Sequence, residues 1–465
     1  MNLPNLEIAK DRTKRENKYI NLNDNYDKIV TNKKYFLRTY GCQMNVHDSE
    51  ALRNYLESLG YINTEVIEEA NLVLLNTCAI RENARDKVVG FLGKCKYLKK
   101  NRDDFKIVIA GCMSQQPDFV EDIQKKHPYV DLVIGTHNIH ELPKLLRNLN
   151  SKTDIEVYSN SDEVIEGMTF KRDSDITAWV NIMYGCDKFC TYCIVPYTRG
   201  RERSRKLESI IEEVIDLKNK GYKEVTLLGQ NVNAYGKDIN ETFSNLLECV
   251  AKTGIERIRF VTSHPWNFTD EMIDVIAKYK NIMPYIHLPL QSGSDAILKR
   301  MNRRYTKKEY LELYKKMKER IPNVSITTDI IVGFPNETKE DFLETLDVVK
   351  SCEFAGAYTF IFSPRVGTPA ALMKDEIPME EKEVRLQELN KLVNEYSLKH
   401  NKEYLNKTVE VLILGESEKD NSKIYGYTEG MQLVNVIGSK DLIGQIIKVK
   451  ITDAKSFSLD GIAEW

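Results

Sequence analysis

From Lys34 onward, short apolar runs alternate with amphipathic helical patterns, and that alternation constrains the fold more than any other feature of the chain. Residues 35–40 precede a helix expected from about 48 to 60, and residues 72–76 precede one from about 81. Residues 106–110 precede a helix over 115–126, and residues 130–134 precede a last one. Strands that alternate with helices pair in parallel, because each helix must cross back over a sheet face, so both faces become buried. Residues 34–150 therefore read as a doubly wound parallel α/β domain. The alternation resumes with strands expected at 178–183, 224–228, 257–261, 284–290, 325–332 and 355–362. An eight-unit TIM barrel takes about 250 residues, so six units imply a partial TIM-like barrel, open on one side. After a charged helix over 378–400, β-rich runs at 409–414, 425–429, 432–436, 446–451 and 458–463 read as a small five-stranded all-β barrel.

The domain plan follows: a polar, strap-like or mobile extension over 1–33, the α/β domain over 34–150, a linker over 151–175, the partial barrel with its trailing helix over 176–400, and the terminal barrel over 401–465. The linker reading rests on seven Asp/Glu against three Lys/Arg in 151–175, with no clear period. Across the 465 residues, 67 Lys and Arg balance 69 Asp and Glu, a net charge of -2. No global field attracts nucleic acid, so any RNA must be held by local patches. No apolar run approaches the roughly 20 residues of a bilayer span, and residues 1–34 lack a signal-peptide core, so a cytoplasmic protein without membrane contact is expected.

Nine cysteines are an odd number in such a chain, which favours metal or redox chemistry over a full disulfide framework. In the string GCDKFCTYC, Cys186, Cys190 and Cys193 follow an expected barrel strand, at the end where barrel enzymes place their chemistry. Three thiolates leave one iron of a 4Fe-4S cube open for a small chelating molecule. The alternative is a zinc knuckle, which needs a fourth Cys or His, and none occurs between Cys193 and Cys249. Cys42, Cys78 and Cys112 each lie just beyond an apolar strand, so parallel pairing brings them to one sheet edge, where ligands of open α/β sheets bind. They read either as a second three-thiolate cluster or as three unrelated buried cysteines. Cys95, Cys249 and Cys352 have no ligand-spaced neighbour and read as structural. His264 and His287, near strand ends, suit either a core position or a pocket contact.

With CxxxCxxC after the first barrel strand, the sequence resembles the radical S-adenosylmethionine (SAM) superfamily, and Tyr192 fills the aromatic position before the last cysteine. The strings TYGCQMNVHDSE, GCDKFCTYCIVPYTRGRERSR, LPLQSGSD, DIIVGFPNET and FSPRVGTPAA resemble the methylthiotransferase family, most closely its bacterial tRNA branch, and the terminal β-rich segment resembles a TRAM domain. The resemblance implies two 4Fe-4S clusters. One, on Cys186, Cys190 and Cys193, would bind SAM and generate a 5'-deoxyadenosyl radical. The other, on Cys42, Cys78 and Cys112, would carry the sulfur that, methylated by a second SAM, is inserted. It further implies methylthio addition to carbon 2 of isopentenyl-adenosine in the tRNA anticodon stem-loop, served by an electron donor protein and a sulfur source.

Tyr192, Gln230, Asn231, Gln291 and Asp329 are the SAM-pocket candidates, against a role in capping strand ends. No side-chain acid or base is assigned. RNA is expected on Arg199, Arg201, Arg203 and Arg205, and on Lys299, Arg300, Arg303 and Arg304. In the terminal segment, eight Lys and no Arg face ten Asp/Glu, so contact there would rest on Lys448, Lys450 and Lys455 or on stacking by Tyr425 and Tyr427. Sister branches that modify a ribosomal protein or threonylcarbamoyl-adenosine share the cysteine plan. A zinc-stabilised RNA-binding module is the alternative of a different class.

Overall fold

The computed structural model describes residues 15–22, 26–80, 84–149, 153–159, 161–418, 420 and 422–464. Of the extension expected over residues 1–33, residues 1–14 and 23–25 lie outside them, and the remainder includes strand β1 (Lys18–Asn21).

The amino-terminal unit is a six-stranded sheet. Its strands are β2 (Lys34–Tyr40), β3 (Ile62–Asn63), β4 (Leu72–Thr77), β5 (Lys106–Gly111), β6 (Leu132–Ile134) and β7 (Asp154–Glu156). They pair in the order β3-β2-β4-β5-β6-β7, every pair parallel. Successive side chains of a strand point to opposite faces, and here both faces are covered. Leu72, Leu74, Val108 and Ala110 pack with Leu52, Tyr55 and Leu56 of the helix Gln43–Ser58. Val73, Leu75, Ile107 and Ile109 pack with Val88 and Leu92 of the helix Ala84–Lys100. This is the doubly wound domain expected from the alternation.

The stretch read as a linker is more ordered than its composition suggests. β7 completes the sheet, and β8 (Glu163–Glu166) pairs in parallel with β1, Tyr19 opposite Val164. Strands of three and four residues are too short to show a period, yet Val164 is fully buried.

The central unit contains β9 (Thr177–Asn181), a short ribbon of β10 (Met183–Tyr184) and β11 (Arg203–Ser204), then β12 (Glu224–Leu228), β13 (Arg257–Phe260), β14 (Tyr285–His287), β15 (Ser325–Val332) and β16 (Gly356–Ile361). β9, β12 and β13 form one parallel sheet and β14, β15 and β16 another, joined by a parallel bridge between Ile258 and Ile282. Six β/α units thus run in sequence order around one core. Among the described residues β9 and β16 do not pair, so the barrel is partial, as six units require. Its helices are defined by local chemistry: before Lys339–Cys352, Thr338 and Asp341 cap one another's backbone N–H groups reciprocally.

The helix Met379–Lys402 leads to β17 (Thr408–Glu416), β18 (Lys423–Thr428), β19 (Leu433–Ile437), β20 (Ile446–Ala454) and β21 (Leu459–Ala463), which close as a barrel in the order β17-β18-β19-β21-β20. Its core is the inward set that includes Val411, Ile413, Val434, Val436, Val449 and Ile451. This barrel docks on the starting ends of the central strands. Arg259 donates to the carbonyls of Thr428 (2.8 Å) and Glu429 (2.9 Å), and Gln432 donates to Ser325 (3.1 Å). The cysteine loops lie beyond the other ends of the strands. No helix among the described residues is long and apolar enough to cross a membrane.

Candidate active site and metal centres

Strand register gathers the first cysteine trio. Tyr40 pairs with Thr77 and Thr77 with Gly111, so the three strands end level, and Cys42, Cys78 and Cys112 follow them directly. Cys42 caps the helix Gln43–Ser58 and Cys112 opens a helical turn. Gly111 lies at φ 100, where a Cβ would sit 2.4 Å from Asn76 Oδ1, so only glycine turns the chain here. The neighbouring Cys78 thiol lowers Cys42 to about 5, and Cys42 in turn raises Cys78. Burial raises Cys112.

Asn45, Asp48 and Asn76 beside this trio are buried and hydrogen-bonded. Asn45 Oδ1 accepts from the Cys42 thiol (3.4 Å), while its amide nitrogen donates to Asn76 Oδ1 (3.1 Å) and the Thr77 carbonyl (3.2 Å). Arg199 reaches in from the central unit and donates through Nε to Cys112 Sγ (3.2 Å) and through Nη2 to Asp48 (2.6 Å). Reading the sequence alone missed Asn45, Asp48 and Asn76, and gave Arg199 to RNA. The available signal was polar NVHDSE on a helix face that packs into the core.

The second trio sits on the loop after β10. The Gly185 N–H donates to Gln230 Oε1, the Cys186 N–H to the Gly200 carbonyl (3.1 Å), and the Cys193 N–H to the Cys190 carbonyl (2.9 Å). Asn302 pins the middle by donating to the carbonyls of Lys188 (3.3 Å) and Phe189 (2.9 Å). Burial raises Cys186, and burial followed by Cys190 raises Cys193 to about 12. Arg303 donates to Cys190 Sγ at 3.3 Å. The trios adjoin: Cys112 packs in one apolar cluster with Phe189 and Ile194, which flank Cys190 and Cys193.

Among the described residues, no three His, Cys, Asp or Glu side chains crowd one point as a single bound ion requires. A cube takes its thiolates at separate corners, so three thiols with N–H donors aimed at sulfur fit a 4Fe-4S cluster better than zinc. Under the Cys186 loop, Glu202 accepts from the Asp187 N–H (3.3 Å) and from Asn231 (3.2 Å). Asn231 Oδ1, Asp187 Oδ1 and both His264 ring nitrogens are buried there without a partner. Buried orphan acceptors of this kind suit a polar ligand.

A cleft of about 1350 Å³ opens between the first and central units, bordered by Gly41, Tyr192 and Cys193, with Gln291 and Asp329 on its barrel wall. Thus three of the five SAM-pocket candidates border the cleft. Gln230 and Asn231 lie instead beside the Cys186 loop. Phe91, Tyr358, Phe360 and Phe362 line the cleft, with Arg38, Lys87, Lys94 and Arg365 also on its walls. Tyr358 and Phe360 are exposed by 59% and 50%. His287 lies 3.3 Å from Asp329 on the barrel wall.

The basic run expected to meet RNA is corrected. Arg199, Arg201, Arg203, Arg205 and Arg303 are buried. Arg201 pairs with Asp162 (3.2 Å), Arg205 with Glu166 (2.8 Å) and Glu213 (2.7 Å), and Arg203 donates to the carbonyls of Ser161 (2.7 Å) and Glu163 (3.1 Å). The acidic stretch 161–166 is their countercharge, and the run stitches β8 to the barrel rather than facing solvent. Lys299, Arg300 and Arg304 are exposed, with Arg304 over the Trp266 ring at 4.9 Å. In the terminal barrel Lys448, Lys450 and Lys455 are exposed, Lys455 paired with Asp460, and Tyr425 and Tyr427 are half-buried. Cys95 and Cys352 sit in apolar cores, Cys249 is partly exposed, and none joins a trio.

Residues 180–349 match the Radical SAM superfamily, residues 34–135 the uncharacterized protein family UPF0004, and residues 402–463 the TRAM domain. The chain is 54% identical to the tRNA-2-methylthio-N(6)-dimethylallyladenosine synthase of Bacillus velezensis, over 99% of this chain and 92% of the relative. It is 51% identical to the synthase of the same description from Staphylococcus haemolyticus, over 98% and 91%. Among solved structures it is similar to the radical S-adenosylmethionine methyltransferase TsrM of Kitasatospora setae, at TM-score 0.55 and 14% identity over 74% of each chain, a likeness of fold alone. On the strength of the full-length relatives, the chain belongs to the radical SAM family of tRNA-2-methylthio-N(6)-dimethylallyladenosine synthases.

Proposed function

We propose that this enzyme adds a methylthio group to carbon 2 of isopentenyl-adenosine beside the anticodon of tRNA, using SAM and two 4Fe-4S clusters. The observation that supports the reading is that the two cysteine-bearing segments, from different domains, adjoin: Cys112 packs with Phe189 and Ile194 of the Cys186–Cys193 loop, and Gly41 and Cys193 border one cleft. When bound, the clusters and SAM supply an adenosyl radical together with the sulfur and methyl group to be transferred. An aromatic C–H bond resists acid-base attack, so such a cofactor is required and the protein's part is to hold, orient and exclude water.

Cys186, Cys190 and Cys193 would hold the SAM-binding cluster, and Cys42, Cys78 and Cys112 the auxiliary one. Tyr192, Gln291 and Asp329 are assigned to SAM from the cleft side. Asn231 is assigned from below, where its unpartnered Oδ1 can accept from an ammonium group; Gln230 is assigned to holding the loop through Gly185. The aromatic wall of Phe91, Tyr358 and Phe360 suits an extruded base carrying an apolar five-carbon substituent. Arg38 and Lys87, exposed at that cleft, are assigned to the flanking phosphates, with Lys299, Arg300 and Arg304 as a second basic patch and the TRAM barrel as a further RNA contact. An electron donor protein and a sulfur source complete the partners.

The test is anaerobic reconstitution of the full chain, iron and sulfide assay, and mass spectrometry of nucleosides from treated tRNA carrying isopentenyl-adenosine. About eight irons per chain and the 2-methylthio nucleoside are expected. One or two zinc and no iron would favour the RNA-binding module instead. Product on threonylcarbamoyl-adenosine or a ribosomal protein would assign the chain to a sister branch.

A further inference from the structure

Each cysteine trio receives one N–H from a buried arginine, and the two arginines differ in their countercharge. Arg199 Nε lies 3.2 Å from Cys112 Sγ, and its Nη2 is paired with the buried carboxylate of Asp48 at 2.6 Å. Arg303 Nη1 lies 3.3 Å from Cys190 Sγ, but its other donors go to the Tyr305 hydroxyl and the Pro289 carbonyl, both at 3.1 Å. Among the described residues no carboxylate pairs with Arg303.

A guanidinium taken out of water without a countercharge is costly. The anion on the page that can compensate Arg303 is the thiolate sulfur of Cys190 and whatever that sulfur ligates. Hydrogen bonds to sulfur and nearby net charge are two of the levers by which a protein sets the potential of an iron-sulfur cluster. An N–H donor stabilises the more negative, reduced form, and a full positive charge does so further. At Cys112 the donor is present but its charge is offset by Asp48; at Cys190 donor and charge act together.

Resting on the two-cluster reading above, we propose that Arg303 and the Arg199–Asp48 pair are positioning residues that hold the two clusters at different reduction potentials, with the cluster on Cys190 the easier to reduce. An incoming electron then goes to the SAM-binding side in preference to the sulfur-carrying side. Asp48 is the element that makes the two sites unequal.

The experiment is an anaerobic redox titration of the reconstituted full chain, followed by electron paramagnetic resonance. The Cys78→Ala background isolates the cluster on Cys186, Cys190 and Cys193, and Cys190→Ala isolates the other. Arg303→Met, which keeps length but removes donor and charge, is expected to move the first midpoint to a more negative value at unchanged iron content, and Arg303→Lys to restore most of it. Asp48→Asn, which uncovers the charge of Arg199, is expected to move the second midpoint to a more positive value and leave the first in place. An unmoved midpoint in iron-replete Arg303→Met overturns the proposal, as does an unmoved or more negative auxiliary midpoint in Asp48→Asn. Should Arg303→Met lose its iron, the Asp48→Asn titration decides alone. Failure of the parent chain to take up iron and sulfide at all overturns the cluster reading, a separate result.

Discussion

Asn45, in the first turn of the helix Gln43–Ser58, and Asn76, near the end of β4, hold each other: Asn45 Nδ2 donates to Asn76 Oδ1 at 3.1 Å, and Asn76 Nδ2 returns to the Asn45 carbonyl at 2.8 Å and to Ser49 Oγ at 2.9 Å. Asn45 also accepts from the Cys42 thiol, so this pair sets where Cys42 and Cys78 stand relative to one another. Asn76→Ala takes from the fully buried Asn45 one of the two acceptors of its side-chain amide and the donor to its carbonyl, at a cost of about 1–3 kcal/mol. The expected outcome is a chain that still unfolds cooperatively in urea, with a lowered midpoint, and whose reconstituted iron falls from about eight toward about four per chain. Full iron content in Asn76→Ala would show that the pair does not position the trio.

The division of labour between the trios predicts unequal losses. Cys190→Ala should abolish both reductive cleavage of SAM and product formation. Cys78→Ala should retain cleavage, seen as 5'-deoxyadenosine by chromatography, and lose the methylthio nucleoside. Full methylthio product from Cys78→Ala under anaerobic turnover would remove the auxiliary assignment.

Arg259 joins the two barrels and predicts a stability effect far from the chemistry. It is buried, paired with Glu224 at 2.8 Å, and supplies donors to the Thr428 and Glu429 carbonyls of the TRAM barrel. Arg259→Ala strands the Glu224 carboxylate and the Glu429 carbonyl, and leaves the Thr428 carbonyl with the Met431 N–H alone. Removing one member of a buried pair costs about 3–5 kcal/mol. Urea denaturation should show that loss, and hydrogen exchange should quicken over residues 408–463 while the iron content stays intact.

The same arginine shows why part of the molecule was legible in the sequence and part was not. Alternation of apolar runs with helices revealed the parallel sheet of the first unit and the parallel strands of the second, and the six-unit count revealed the open barrel, because strand burial leaves a local mark in most strands. The trios were legible through their offset from strand ends. Charge was not, since a buried arginine and a solvated one look alike in sequence. Arg199, Arg201, Arg203 and Arg205 recur every second residue, as they would along one face of an extended segment, and their partners Asp48, Asp162 and Glu166 lie 39 to 151 residues away. The acidic excess in 151–175 read as a linker because it shows no period, and its countercharge stands on a segment that only the fold brings alongside. β7 and β8 were missed for their length.

The exposed aromatic wall of the cleft makes the last prediction. Tyr358 and Phe360 alternate on β16 and both face out of the barrel core into the cleft, where large apolar side chains left in water mark a binding surface. An isopentenyl group has five carbons, and burial is worth about 0.8 kcal/mol per carbon at best. Losing the ring of Phe360 should forfeit about 1.5–3 kcal/mol of it, so Phe360→Ser is expected to lower kcat/KM for an anticodon stem-loop bearing isopentenyl-adenosine by about 10- to 150-fold. Activity on a stem-loop with unmodified adenosine, measured in parallel, should change far less. Lys87→Gln, on the same cleft, should weaken both RNAs alike and reduce the slope of log affinity against log salt by about 1, because a phosphate contact carries no information about the base. Equal loss on both RNAs in Phe360→Ser would show that this wall supports the base or the fold and does not read the prenyl group.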